Sequence, residues 1–432
     1  MSKLKIYPAV ATAIMTGMIG AAPAQQTEGK VRSNGLGLVS ADGENSINLT
    51  GRIHFDTRQF NSDFASGAQR DKDTAKYGDT FEIRRARIGV TGILRKDISY
   101  EVVFNAAASD STNLDTGWIN YKFDDRFNLR AGRFKQQFNL EELTSSNNID
   151  FIERSFVNQF APGKKAGLML HGSIIDGVTY GVTRFQESNT AASASGNGQN
   201  TARLTANIAQ LANFNDSVVH LGWARHSGKI DVASGATGDI FKMRTDARGA
   251  DGVFASTFAS GDTTNINEVR RSSNGLELAI AYGAFKFQTE NVAAKFNYEN
   301  SNRTNVVDGT IKSNYYAIVY NITGENWNDA YKDGTFGAVR PKSSFTSGGK
   351  GTGGWQIGYR ASAYDAYDWT STTATTGSKG GKTNTLALTW LINPNARLML
   401  NHSLTKFDNA FTLGATSGTQ EVTNTLRAQV NF

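Results

Sequence analysis

The sequence has no cysteine, which excludes disulfides, thiolate metal sites and thiol nucleophiles. After residue 24 no segment approaches the roughly 18 uninterrupted apolar residues of a transmembrane helix. That absence, with a mean hydropathy of -0.40, does not exclude a transmembrane β-barrel, whose lipid face occupies only every second residue of each strand. Charge of one sign is also scarce. The formal excess is +6, or +4 once Lys3 and Lys5 are set aside, without the clustering that would bind nucleic acid. Enzymatic signatures are missing as well. His54, His171, His220, His226 and His402 lack metal-ligand spacing. There is no GxSxG and no Ser, His and Asp grouping. Gly348 to Gly354, GGKGTGG, is not a complete phosphate-binding loop. Glu141 with Glu142, and Asp124 with Asp125, read as hydrated loop carboxylates. No catalytic residue, metal or cofactor is expected.

What is present begins at the ends of the chain. Residues 1–24 carry Lys3 and Lys5, an apolar core from Ile6 to Ile19 and an Ala22-Pro23-Ala24 site, the pattern of a secretory signal. Residues 25–45 read as a short flexible lead, and residues 46–432 as a single domain. At the other end, Leu426, Ala428, Val430 and Phe432 alternate with Arg427, Gln429 and Asn431. That is a strand with one lipid face and one polar face.

The same alternation recurs along the chain, from Ile47–Thr57 to Val422–Phe432, in sixteen runs bounded by Gly, Asn, Asp and Ser turns. An even count suits an all-β, transmembrane antiparallel β-barrel. Connections mostly alternate between short and long, as in barrels with short periplasmic turns and long external loops. Thr323–Gly353 is the exception, long where parity demands a short turn. In Phe81–Leu94, Ala86, Ile88 and Val90 are expected to face lipid and Arg85 and Arg87 the lumen. Arg84 then points outward unless a bulge intervenes. Arg130 is expected inward; Arg133 is expected outward, near an interface or pairing within a trimer.

Gly132 to Arg154, GRFKQQFNLEELTSSNNIDFIER, starts as an alternating strand and then stops behaving as one. This tract and FEIRRARIGVTG at Phe81 resemble the phosphate- and pyrophosphate-selective porin family of the bacterial outer membrane. So do YNITGE at Tyr320, GWQIGYR at Gly354 and GKTNTLALTW at Gly381. The resemblance runs from about Ile47 to Phe432. It implies a homotrimer of sixteen-stranded barrels, surrounded by outer-membrane lipid, each narrowed by an inward-folded third external loop following Phe134. It also implies a ladder of arginines, with Arg84 and Arg85 on the wall and Lys242, Arg244 and Arg248 on the fifth loop; Arg87 is a further pore candidate from its lumen-facing place in the alternation. Asp115, Ser145 and Arg154 fall at the constriction. Glu142 and Asn147 depart from the family pattern, which has lysines there.

The expected function is passive diffusion of small anions, phosphate or polyphosphate favoured. A general or differently selective porin without phosphate preference is the alternative, and a structural outer-membrane barrel with a closed lumen belongs to another class. An acid at Glu142 opposes a multiply charged anion: unit charges about 4 Å apart interact by roughly 4 kcal/mol at an effective dielectric near 20. Phosphate binding is therefore expected to depend on whether Arg154 or Lys135 neutralises it.

Overall fold

The structure, a computed structural model, describes residues 28–32, 35–62, 79–107, 113–186, 198–214, 216–231, 238–258, 268–299, 306–371, 374–413 and 416–432. The expected signal segment, 1–24, lies outside the described residues.

Sixteen antiparallel strands form the wall: β1 Ser46–Ser62, β2 Thr80–Leu94, β3 Ile98–Asn105, β4 Asn113–Lys122, β5 Asn128–Lys135, β6 Lys164–Ile175, β7 Val178–Gln186, β8 Gly198–Asn207, β9 Ser217–Asp231, β10 Glu268–Tyr282, β11 Phe285–Glu299, β12 Val306–Asn321, β13 Gly354–Asp365, β14 Gly380–Asn393, β15 Ala396–Leu413 and β16 Thr416–Asn431. Each pairs with the next, and β16 returns to β1 from Glu421 opposite Ser62 to Asn431 opposite Arg52, so the sheet has no open seam. Gly51 and Phe432 exchange backbone hydrogen bonds of 2.8 and 3.1 Å at the closing point. A side chain at Gly51 would strike the Phe432 ring.

Alternation sorts the residues as expected of a wall between lipid and lumen. Ile53, Phe55, Ile88, Leu426 and Val430 are exposed on the outside, while His54, Asp56, Arg85, Arg427 and Gln429 are buried inside. Two places break the rule. A register shift between His54 and Phe55 opposes Arg85 to His54 and Ile83 to Phe55, leaving Arg84 as the extra residue of a bulge. Arg84 thereby turns inward. In β5, Gly132 has φ 128°, and Arg133 next to it lines a lumen chamber with Arg130. The outward position expected of Arg133 is thus corrected: Arg133 lines the chamber as its neighbour Phe134 does, while the ladder pairing runs through Gly132 without a shift.

Two short strands lie within the expected lead at 25–45. Glu28–Arg32 and Gly35–Val39 form a hairpin whose second strand pairs with Ser46–Asn48 of β1. The cause is a gap in pairing: β16 ends opposite Arg52, so the first residues of β1 would otherwise have unpaired backbone on that side.

Thr323–Gly353 lies at the end of the short turns, as parity required, and is filled rather than slack. Trp327 and Phe336 are buried, Tyr331 contacts His220 of β9, and Arg203 of β8 donates to the Gly334 carbonyl at 2.9 Å. From the opposite end, residues 136–163 fold into the lumen, and a hairpin of the fifth loop, Gly238–Arg244 with Asp251–Phe258, covers them. One half of the lumen therefore holds an apolar core of Phe138, Phe156, Phe160, Met243, Phe254, Phe296 and Trp369.

Gly132→Ala is expected to destabilise the barrel by about 1–3 kcal/mol, from a left-handed conformation and a Cβ placed 2.2 Å from the Gly117 carbonyl oxygen. Urea-dependent loss of folded migration in gels would measure it.

Candidate functional site

Residues 136–163 are where strand chemistry gives way to a loop that must satisfy its backbone inside a closed barrel. A single helical turn, α1 Leu140–Leu143, begins it. Glu290 of β11 accepts the Leu140 and Glu141 amides, both at 2.8 Å, the place where a helix start favours an anion. Tyr315 donates to the same carboxylate at 2.6 Å. Past α1, Arg154 donates to the carbonyls of Glu141 at 2.8 Å and Thr144 at 2.9 Å, occupying acceptors that the short helix leaves open. Wall arginines hold the rest. Arg397 donates to Ile149 O (3.2 Å), Arg427 to Ile152 O (2.6 Å), Arg360 to Glu153 O (3.0 Å) and Arg271 to Phe160 O. Lys286 pairs with Asp150 at 2.7 Å.

Opposite this packed half, β1–β6 and the free face of the loop enclose a chamber of about 550 Å³. Its lining has eight basic and three acidic side chains, a formal excess of five positive charges. Several sequence-predicted residues meet here: Arg85, Arg87, Asp115, Ser145 and Arg154, together with Glu142. Asp115 pairs with Arg87 at 2.9 Å and with Lys164. Arg52 donates to the hydroxyls of Ser145 and Ser146, at 3.4 and 2.8 Å, tying the loop's free face to β1. Arg52, Arg85, Arg130 and Arg133 have no carboxylate at ion-pair distance among the described residues. The Nε atoms of Arg52, Arg87 and Arg130, and Nε and Nη1 of Arg133, are buried without a hydrogen bond.

Glu142 lines the chamber but is not bare. Arg154 lies 3.7 Å away, and Lys135 donates to the Glu142 carbonyl. Burial pushes its carboxyl up, but Arg154, then Lys135 and Lys164, outweigh burial and hold it below the ordinary carboxylate range. Asn147 sits behind the loop instead, bonded to His54 at 3.1 Å and accepting from Gln429 at 3.1 Å on its carbonyl.

Arg84 belongs to a second cluster, above the chamber, centred on Glu153. Its Nε donates to Glu153 at 2.7 Å, and Arg58 and Arg427 approach at 3.4 and 3.1 Å. Arg244 and Arg248 are within electrostatic reach of that carboxylate. Burial pushes Glu153 up, yet Arg84, Arg85, Arg427 and Arg248 together hold it well below the usual range. Lys242 is apart from both clusters, paired with Asp251 at 3.4 Å on an exposed part of the fifth loop. Nearby Asp246 is buried and pushed up to about 6, the Arg360 charge only partly offsetting burial.

Sequence reasoning does not single out Arg52, Lys164 or Glu101. The alternation of β1 does place Arg52 on the lumen face, but nothing local distinguishes it from Asn48 or Thr50. Glu153 escapes notice because its partners come from β1, β2 and β16.

The low position of Glu153 has a signed consequence. A depressed carboxyl stabilises the fold fully above the unfolded value near 4.5, and that contribution is lost as pH falls further. Glu153→Gln is expected to lower thermal stability at pH 7 and to reduce its decline between about pH 5 and 3. Circular dichroism melts of both proteins would check this.

A family model described as phosphate-selective porin O and P matches residues 47–432. Porin O of Pseudomonas aeruginosa is 24% identical over 394 residues, 87% of this chain and 86% of that protein. Among solved structures, the outer membrane channel DcaP of Acinetobacter baumannii superposes with a TM-score of 0.53 at 10% identity, covering 91% of this chain and 99% of that one. OmpT, an outer membrane protein of Vibrio cholerae, gives 0.53 at 11% identity, covering 90% and 98%. Those two likenesses concern the fold. With the family match across the whole barrel and a lumen built around a basic chamber, the chain belongs to the phosphate-selective porin O and P family and is a porin of the bacterial outer membrane.

Proposed function

We propose that this porin passes small anions by diffusion, phosphate or polyphosphate favoured, with the solute gradient as driving force. The observation that carries the reading is the excess of five positive charges in the chamber, where four arginines have no carboxylate at ion-pair distance among the described residues. A charged lumen with low-dielectric walls concentrates counter-ions, and its donors replace part of an anion's hydration shell. Binding must stay weak enough for release. Arg85, Arg87, Asp115, Ser145 and Arg154 would form the narrow part, with Arg84, Arg244 and Arg248 above it; Lys242 would act at the mouth. The pairing of Glu142 with Arg154 removes most of the opposition that an acid would otherwise offer.

The phosphate-selective character of the family, and its member from Pseudomonas aeruginosa, support the phosphate preference. A solved trimer form of OmpT supports a homotrimer. Residues 1–24 would serve as the export signal, leaving residues 46–432 as the single barrel domain.

Reversal potentials in planar bilayers should show anion preference, and added phosphate should reduce chloride current. A cation preference would overturn the reading, and chloride current indifferent to phosphate would leave a general porin. Glu142→Gln, which frees Arg154, should lower the phosphate concentration for half-block by roughly 2–10-fold, the scale of one partly screened unit charge.

A further inference from the structure

We propose that Trp118, Arg130 and Arg133 form a subsite for planar organic carboxylates on the chamber wall. The proposal rests on the reading of that chamber as the anion passage. Trp118 stands on β4 and the two arginines on β5, with Trp118 opposite Gly132 in the ladder, between them. The Arg130 guanidinium carbon lies 4.0 Å from the Trp118 ring centroid and 5.9 Å from that of Phe134. These distances describe a flat cation laid on an indole and facing a second ring.

That arrangement leaves donors unused. Arg130 makes no hydrogen bond or ion pair among the described residues, and its Nε is buried. Arg133 has Nε and Nη1 buried without partners. An orphaned buried guanidinium edge is costly unless an acceptor reaches it. Phosphate or chloride would satisfy the donors but gain nothing from the aromatic surface. A planar carboxylate uses both features: its two oxygens fit the planar fork of an arginine, and its ring lies against the guanidinium and indole stack. The chamber, about 550 Å³, falls within the size range of small-molecule sites. Its wall is mixed, with Trp118 and Phe134 beside the charged groups.

The test uses the intact protein in planar bilayers, with chloride current titrated by benzoate, cyclohexanecarboxylate and inorganic phosphate. The two carboxylates match in charge and bulk and differ in the planar ring. Benzoate should half-block at a concentration about 3–10-fold lower than cyclohexanecarboxylate, the scale of a cation and ring contact. Trp118→Leu should abolish that difference while phosphate block moves by less than about twofold. Arg133→Lys, which keeps the charge and loses the fork, should weaken benzoate more than phosphate; it carries the test if Trp118→Leu does not assemble. Equal block by the two carboxylates in the parent protein would overturn the subsite and leave the anion passage standing. So would a difference that survives Trp118→Leu. A cation-selective parent channel would overturn both.

Discussion

The rest of the molecule depends on how the backbone of residues 136–163 is satisfied inside the barrel. A loop that leaves the wall exchanges sheet hydrogen bonds for none, and each unpaired buried group costs on the order of 1–3 kcal/mol. Here the exchange is made good from the opposite wall. Glu290 takes the first amides of α1, and Arg271, Arg360, Arg397 and Arg427 each take one carbonyl. The loop is thus pulled toward β10–β16. That displacement leaves space beside β1–β6, and the chamber is this space.

Lumen arginines therefore do two different jobs. Those on the far wall have acceptors in the loop and behave as structural donors. Those on the near wall, Arg52, Arg85, Arg130 and Arg133, have no carboxylate at ion-pair distance among the described residues and contribute positive charge to the chamber. Counting arginines on lumen faces would merge the groups. Removing a far-wall arginine alters the aperture through the loop, whereas removing a near-wall one alters the charge a solute meets.

Most of the barrel is legible in the sequence because its signal is local: a period of two, repeated sixteen times, with polar residues where lipid cannot reach. The large turn after β12 is legible as an anomaly, and the structure shows why it is large. Alternation misplaces Arg133, which lines the chamber beside Phe134 although the ladder runs through Gly132 without a shift. Arg84 is the converse case, its inward turn needing a bulge that no residue type announces. The partners of Glu153 illustrate the remaining limit. Arg427 approaches it across 274 positions, a juxtaposition that closure of the sheet creates and local pattern does not encode.

The departure at Glu142 takes its meaning from this geometry. Read as a residue type, it subtracts charge from the narrowest place. In position it faces Arg154, which is itself committed to the carbonyls of Glu141 and Thr144. Arg154 is therefore first a brace for α1, and its charge would be surplus at the loop without an acid beside it. Glu142 offsets that surplus locally while the unpaired arginines across the chamber keep theirs. The acid thus moves the positive field away from the loop toward the β1–β5 wall, where Arg130 lies on Trp118 and Arg133 has open donors. On the proposed reading, selectivity then rests on the barrel wall more than on the loop.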